Sequence, residues 1–458
     1  MVLAATMMGV VLVTLDVSVV NVAIESLHAS FDLRIDGLQW VLNVYTLAYA
    51  TFLLSAGALG DRIGARGTFL LGFLIFTSSS AACGLASSFE ALLGARLSQG
   101  IGAALLVPSA MALLYRSFPD ARERASAIGL WAGAGSFALA AGPVLGGALI
   151  AWLGWRSVFL VNLPVGLLGI WLTVRHAPRP VRTIRRPLDV PGQVTGAAAV
   201  ACLTAAITQA SALGWTSPWI VAGLVSGAVG GTLFLCIEAR SAHPMMPFDL
   251  FRDRTFTAAS YIGFVANFVF YGLVFVFSLF FQSVQGKSAL ATGFAFVPMT
   301  AVIMLVNVGA GRLNGRYGVR PAMIGGLAVA AAGYLAMLPV NAGSSYLALA
   351  PAFLLAGVGI ALTVPSVMTA GLAGTGPERA GIGSGVINTA RQVGGAMGVA
   401  LFGSLIGTAG GDAFVAGMRV SIALAGFALV TAGIVAVIYV PRRVGSAGME
   451  QQAAMPEP

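Results

Sequence analysis

The chain carries one short segment twice: residues 57–67 read GALGDRIGARG and residues 311–321 read GRLNGRYGVRP. Both copies keep two glycines, one leucine and two arginines at the same spacing, 254 residues apart. A second pair follows at an offset of 257 residues, with GIGAALLVP ending at Pro108 and GVGIALTVP ending at Pro365. The repeats predict a fold of two related units, each built around one copy.

The composition indicates that these units lie in a membrane. Of 458 residues, 58% are hydrophobic and only 9% are charged, against roughly 25% charged in soluble proteins. Apolar runs of about 20 residues recur along the whole chain, each long enough to cross a hydrocarbon core about 30 Å thick. The runs are continuous rather than alternating, which favours helices over a barrel. We therefore predict an all-α polytopic membrane protein with fourteen transmembrane helices.

The distribution of basic residues predicts the orientation of these helices. We counted Lys and Arg in alternate connections between the spans, and 19 arginines fall on one side of the membrane. The other side holds only Arg34, Arg156, Lys287 and Arg419. Cytoplasmic loops hold the excess of basic residues. We expect an even number of spans with both termini in the cytoplasm.

Two polar breaks divide the spans into six, two and six. The first, after Arg175, is rich in arginine and proline, and the second contains HPMMP. The predicted units are a six-helix bundle (1–175), a basic cytoplasmic linker with two extra helices (176–255), a second six-helix bundle (256–441) and a cytoplasmic tail (442–458). The two bundles are expected to be pseudo-symmetric, as in many secondary transporters.

Several classes of function are disfavoured by what the sequence lacks. Gly286, Lys287 and Ser288 resemble the end of a phosphate loop, but the upstream glycine of that motif is absent. The sequence shows no catalytic motif and no Cys/His spacing of a metal site. The net charge of +9 is spread over short loops instead of forming a nucleic-acid surface. We predict no enzyme activity, no metal, no cofactor and no nucleic-acid partner.

Asp16 stands in the middle of the first span, where a charged side chain costs about 2.5–3.5 kcal/mol. Arg96, in the fourth span, is the candidate that would compensate it. An intramembrane acid can take up and release protons during a transport cycle; the alternative is a static structural pair. We predict that Asp16 and Arg96 couple proton movement to transport.

Other polar residues in the spans are candidates for a substrate or proton site. Glu25 lies about two and a half turns after Asp16 on the same helix, although it can equally be a solvated charge at the helix end. The first-half candidates are Glu25, Asn21, Tyr45 and Gln99, and the second-half candidates are Asn388, Arg391 and Gln392.

The repeated segment at 57–67 is a candidate gating loop between the second and third spans. Its glycines permit a tight turn, its arginines suit the membrane interface, and Asp61 can interact with a helix N-terminus. The residues concerned are Gly57, Asp61, Arg62, Gly64 and Arg66. An ordinary basic loop is the simpler alternative.

The fifth span is rich in small residues, which let helices approach closely, and contains a proline that loosens its hydrogen-bond ladder. We expect a bending or tightly sealed helix there. Its residues of interest are Gly129, Gly142, Pro143, Gly146 and Gly147. The aromatic-rich ninth span, with Tyr261 and Tyr271 among its residues, has two interpretations: its aromatic side chains line a site for flat hydrophobic substrates or, as is more common, they face lipid.

These segments together resemble the major facilitator superfamily, and in particular its fourteen-helix drug:proton antiporter branch. The resemblance covers nearly the whole chain. It lies in LDVSVVNVAIESL at 15–27, GALGDRIGARG at 57–67, ARLSQGIGAA at 95–104, AGPVLGG at 141–147, GWRSVFLVNLPVG at 154–166 and NTARQVGGAMGVA at 388–400. The sequence departs from the family pattern at Glu25, where proline is usual, and at Ala138, where glycine is expected.

The resemblance implies alternating access between two bundles, with efflux of small hydrophobic drugs, antibiotics or metabolites driven by proton entry. It implies a monomer in the bacterial inner membrane. The tenth span lacks the acid with which some members recognise divalent cations, so monovalent cationic, neutral or zwitterionic cargo is expected. The alternatives are a proton-coupled transporter of an endogenous product, such as a lipid, amino acid or peptide, and an importer.

Overall fold

A computed structural model of the chain describes residues 1–118, 120–178, 189–241, 244, 246–373, 375, 380–406 and 411–441. Most of the predicted basic linker and the predicted tail lie outside these ranges. The side chains of Asp61 and Arg62, two residues of the predicted gating loop, also lie outside the described part.

The described chain is built from long helices. The N-terminal half contains α1 (Val2–Phe31), α2 (Ile35–Ile63), α3 (Ala65–Gly84), α4 (Phe89–Ser117), α5 (Ala121–Leu153), α6 (Ser157–Leu160) and α7 (Asn162–His176). Two further helices follow, α8 (Val190–Leu213) and α9 (Pro218–Arg240). The C-terminal half contains α10 (Arg254–Leu279), α11 (Ala289–Tyr317), α12 (Val319–Leu335), α13 (Tyr346–Ala373), α14 (Ala380–Ile406) and α15 (Asp412–Tyr439).

The helices make fourteen crossings, which confirms the predicted fold class. Helices α6 and α7 form a single apolar segment of 20 residues, because Val161 between them keeps helical backbone angles of −60° and −24°. Eleven segments of the described chain are long and apolar enough to span a membrane. The shortest crossing is α12, with 17 residues, which is at the lower limit for a hydrocarbon core.

The predicted loop at 57–67 is mostly helical, which corrects the sequence interpretation. Helix α2 continues to Ile63 and α3 begins at Ala65, so Gly64 alone separates them. Gly64 adopts φ +81°, and its repeat partner Gly318 adopts φ +86° between α11 and α12. Only glycine enters this region at little cost. The basic residues therefore lie on helix ends that extend beyond the apolar spans.

The two halves repeat the same packing pattern. Helix pairs α1–α5, α2–α4, α3–α4, α1–α7 and α3–α7 pack together in the first half, and α10–α14, α11–α13, α12–α13, α10–α15 and α12–α15 do so in the second. The interface between the halves has the same symmetry, since α5 packs on α11 and α2 packs on α14. The bundles are therefore pseudo-symmetric, as the sequence repeats predict.

Close glycine contacts follow the same register in both halves. A side chain at Gly102 of α4 would lie 2.6 Å from the backbone nitrogen of Phe76, and one at Gly359 of α13 would lie 2.3 Å from that of Ala330. Phe76 and Ala330 are themselves 254 residues apart. The repeated GxG segments are thus contact points between paired helices, where any side chain would force the backbones apart.

The two extra helices form a hairpin that packs on the outside of this bundle. Helix α8 packs on α9, α2 and α14. Its polar contacts with α2 include Asn43 Nδ2 to Thr208 Oγ1 at 3.4 Å and Gln193 Nε2 to the Thr51 carbonyl at 3.4 Å. Many large apolar residues of α9, such as Trp219 and Val225, are exposed, as suits a surface in contact with lipid.

Candidate transport site

Asp16 and Arg96 form a buried ion pair between α1 and α4. Arg96 Nη1 lies 2.5 Å from Asp16 Oδ2, and the two side chains are 1% and 0% exposed. Arg96 also donates from Nε to the Val41 carbonyl at 3.2 Å. These contacts supply the compensation that two charges need when they leave water.

Neutral polar side chains complete the environment of the carboxylate. Gln99 Nε2 donates to Asp16 Oδ1 at 2.8 Å while its Oε1 accepts from Arg96 at 2.8 Å. Asn162 Nδ2 lies 3.3 Å from Asp16 Oδ1 and 3.0 Å from Ser80 Oγ. Both carboxylate oxygens are thus hydrogen-bonded inside the first half.

Sequence reasoning missed Asn162 and Ser80. Asn162 begins α7 within the segment GWRSVFLVNLPVG, and Ser80 lies near the C-terminal end of α3. Both side chains are fully buried. A polar side chain inside an apolar span was the available signal, since such groups are rarely left without a partner.

Tyr45 connects this cluster to the space between the halves. The Arg96 guanidinium carbon lies 4.2 Å from the centre of the Tyr45 ring, a distance typical of a cation–π contact. The Tyr45 hydroxyl is buried without a hydrogen-bond partner in the described chain, and so is Asn21 Oδ1. Two polar atoms at the predicted site therefore remain available to a ligand.

Two small neighbouring cavities, of about 20 and 30 Å³, lie between the halves. Both are lined by Val17, Asn21 and Tyr271. The first extends towards α5 and α11 through Pro143 and Thr300. The second reaches Tyr45 and Arg96 in one half and Gln392 in the other. Arg96 therefore borders the same space as Gln392, one of the candidate residues of the second half.

Arg391 occupies a different environment from Arg96. Its Nη1 donates to Asn388 Oδ1 at 3.1 Å and its Nε lies 3.4 Å from Asn267 Oδ1. Tyr49 and Tyr271 lie near its guanidinium. The structure thus brings together Asn388 and Arg391, with Gln392 in the adjoining cavity wall.

Glu25 lies apart from Asp16. Its Oε2 accepts a hydrogen bond of 2.7 Å from Ser283 Oγ, in the π-helical turn Phe280–Val284 that follows α10. Glu25 is not among the residues that line either cavity. It joins the halves at the face opposite Met1, where Gln39 Nε2 also reaches the Val399 carbonyl at 3.3 Å.

The repeated basic segment makes one equivalent contact in each half. Arg66 Nη2 donates to the Val174 carbonyl of α7 at 2.7 Å. Its repeat partner, Arg320, donates from Nη2 to the Val437 carbonyl of α15 at 2.5 Å. Each arginine therefore ties the start of the third helix of a half to the end of its sixth, where carbonyls lack helical partners.

The small residues of α5 divide into two groups. A side chain at Gly142 would lie 2.5 Å from Ser18 Oγ. One at Gly146 would lie 2.9 Å from Val19, and one at Gly147 would lie 2.6 Å from the Leu290 Cα. These three positions confirm the expected close approach. Gly129 makes no such close approach, since a side chain there would meet nothing within 4 Å. Helix α5 is therefore packed less tightly at Gly129 than at the other three glycines.

The aromatic residues of the ninth span mostly point into the protein, contrary to the sequence expectation. Phe270 and Phe275 are buried, and Tyr271 lines both cavities. Tyr261, which is 38% exposed, fits the expected lipid-facing position. Helix α10 is buried because it packs against α13, α14 and α15 as well as α1.

A family model described as "Major Facilitator Superfamily" matches residues 6–399. The chain belongs to the Major Facilitator Superfamily. It is therefore a multi-pass membrane transporter, and the family resemblance of its motifs is confirmed.

Within the Major Facilitator Superfamily, its relatives include proteins named for drug resistance. The chain is 34% identical over 398 residues to a methylenomycin A resistance protein of Streptomyces coelicolor. The aligned region covers 87% of this chain and 84% of that protein. It is 37% identical over 404 residues to the multidrug resistance protein Stp of Mycobacterium tuberculosis, with 88% and 75% covered.

A solved structure shows the same fold. The crystal structure of an auto-inhibited POT family peptide transporter superposes with a TM-score of 0.71, at 16% identity, over 96% of this chain and 97% of that one. At this identity the likeness concerns the fold alone.

Proposed function

We propose that this transporter exports small hydrophobic compounds, such as drugs, antibiotics or metabolites, in exchange for protons. The observation that carries the proposal is the buried Asp16–Arg96 pair, of which Arg96 lines a cavity between the two halves. The names of the relatives, which refer to methylenomycin A resistance and multidrug resistance, support export as the direction.

Asp16 is the proton-binding group of this mechanism, and Arg96 is its partner. When Asp16 is ionised, Arg96, Gln99 and Asn162 all donate to it. A proton on Asp16 neutralises the carboxylate and weakens its attraction to Arg96, which leaves the Arg96 charge buried and under-compensated. That imbalance favours a rearrangement of α1 and α4, the two helices that form the site.

Alternating access follows from the symmetric interface between the halves. The halves meet along α5–α11 and α2–α14, so a rocking motion about the central cavities would open one face as it closes the other. Helix α5 seals against its neighbours through Gly142, Pro143, Gly146 and Gly147. The gate at the Met1 face consists of Gly57, Asp61, Arg62, Gly64 and Arg66.

The same proposal gives the protein its place in the cell. The excess of basic residues at the Met1 face supports cytoplasmic termini in a bacterial inner membrane. The working unit is a monomer with units 1–175 and 256–441 as its moving halves and the 176–255 segment between them.

Transport in everted membrane vesicles tests the proposal. Vesicles containing the protein should accumulate a fluorescent dye or an antibiotic against its gradient when energised, and a proton uncoupler should abolish accumulation. Asp16→Asn should insert normally but lose proton-driven accumulation, whereas the exposed Asp249→Asn should behave as the wild type. Uncoupler-insensitive movement would exclude proton exchange, and full activity of Asp16→Asn would exclude Asp16 as the proton site.

A further inference from the structure

We infer that Arg391 binds an acidic group of the cargo, so that the transporter carries organic anions such as aromatic carboxylates. The inference rests on the proposed transport function and specifies the chemical class of the compound that is carried. It replaces the monovalent cationic, neutral or zwitterionic cargo that the sequence led us to expect.

The first observation is an asymmetry between the two intramembrane arginines. Arg96 has Asp16 as its counter-ion. In the described part of the chain, no carboxylate lies within 4.0 Å of Arg391; the only other ion pairs there are Arg34–Asp36 and Arg252–Asp249. An uncompensated arginine near the middle of a membrane helix is costly, and a bound anion would offset that cost.

The second observation is the number of donors that Arg391 leaves free. A guanidinium has five N–H groups, and the two amide contacts to Asn267 and Asn388 use only Nε and Nη1. The stem of Arg391 is held against Gly263, where a side chain would lie 3.0 Å from Arg391 Cγ. A positioned planar fork with free N–H groups suits a carboxylate, which it can bind through two parallel hydrogen bonds.

The third observation is that the surroundings of Arg391 belong to the cavity. Arg391 itself is not among the lining residues, but Gln392, next in the chain, lines the second cavity, and Tyr271, which lies near Arg391, lines both. The unpartnered Tyr45 hydroxyl, 1% exposed, borders the same space. We place the anionic group within reach of this hydroxyl and the Arg391 guanidinium, while Val17 and Phe270 provide apolar walls for the rest of the molecule.

A pair of dyes of similar shape and opposite charge tests the inference on the purified protein in detergent. The probes are fluorescein, which carries a free carboxylate, and rhodamine 6G, a cationic ester, with binding measured by fluorescence anisotropy. Arg391→Gln should weaken fluorescein binding by about tenfold or more, as expected for lost hydrogen bonds to a charged group. It should change rhodamine 6G binding less than about twofold. Arg391→Lys should retain part of the fluorescein affinity.

The matched control is Arg419→Gln, because Arg419 is an exposed arginine of the same half that contacts only the Val340 carbonyl, at 3.3 Å. It should bind fluorescein as the wild type does. Failure of the wild type to bind fluorescein more tightly than rhodamine 6G would overturn the inference, as would an equal loss of both dyes in Arg391→Gln.

A competition measurement needs no variant and guards against misfolding of Arg391→Gln. Benzoate should displace fluorescein from the wild type, and benzamide, its neutral counterpart, should not; equal displacement by both would overturn the inference. Binding is measured without a proton gradient, so its outcome is independent of the vesicle experiment. Selective anion binding without proton-driven transport would refute the proposed function alone.

Discussion

Arg96 Nη1 lies 2.5 Å from Asp16 Oδ2, with both side chains buried in the first half of the bundle. Removal of one partner leaves the other charge buried and unpaired, at a cost of about 3–5 kcal/mol. We expect Asp16→Asn and Arg96→Gln each to lower the melting temperature of the purified protein. The double variant should recover most of the loss, because neither charge then remains.

The exposed pair Arg252–Asp249, at 3.9 Å, is the control for this cycle. The corresponding variants Asp249→Asn and Arg252→Gln should change the melting temperature little, since surface ion pairs contribute roughly 0–1 kcal/mol. Additive losses in the Asp16→Asn/Arg96→Gln double variant would show that the two groups do not stabilise each other.

The contact between Gly142 and Ser18 predicts that α5 cannot accept a side chain at this position. Gly142→Val would place a carbon about 2.5 Å from Ser18 Oγ, and such overpacking costs about 1–3 kcal/mol. We expect a lower melting temperature and loss of transport. Gly129→Val, on the same helix but facing open space, should melt like the wild type; equal destabilisation by both changes would contradict the assigned packing.

Arg66 and Arg320 should make equal contributions to the two halves. Each donates one hydrogen bond to a carbonyl near the end of a helix, worth roughly 0.5–1.5 kcal/mol. Arg66→Gln and Arg320→Gln should lower the melting temperature by similar amounts, and the losses should add in the double variant because the sites lie in different halves. Arg252→Gln, which removes an arginine that is 86% exposed, is the control. A loss confined to one half would show that the repeat is not structurally equivalent.

The hydrogen bond between Glu25 and Ser283 should break in every transport cycle. It joins the two halves at the face opposite Met1, which must open when cargo is released there. In a variant with Cys83, Cys202 and Cys236 replaced by serine, a short bifunctional crosslinker between Glu25→Cys and Ser283→Cys should abolish dye accumulation in vesicles.

Each single cysteine variant, treated with the same crosslinker, controls for simple modification and should remain active. Accumulation that persists in fully crosslinked protein would show that this face does not open, and would contradict alternating access between the halves.

The sequence alone determined the helices and their grouping. Apolar runs of membrane length must be helical because a backbone in hydrocarbon has to satisfy its own hydrogen bonds, and this requirement is local. The repeats at 57–67 and 311–321 predicted two similar halves, since similar segments at matching positions of two units adopt similar structures. The sequence could also mark Asp16, Arg96 and Arg391 as unusual, because each is an ionisable group in an apolar span.

Only the tertiary structure decided which of these groups meet. Asp16 pairs with Arg96, and Asn162, 146 residues from Asp16 in the chain, joins them. Arg391, in contrast, hydrogen-bonds to the amides of Asn267 and Asn388 and has no carboxylate partner among the described residues. Likewise, Gly142 packs against Ser18 but Gly129 faces open space. Transfer free energies fix where each span lies along the chain, but rotation and tilt of the helices are fixed by packing against their neighbours, and these set the partners of every intramembrane polar group.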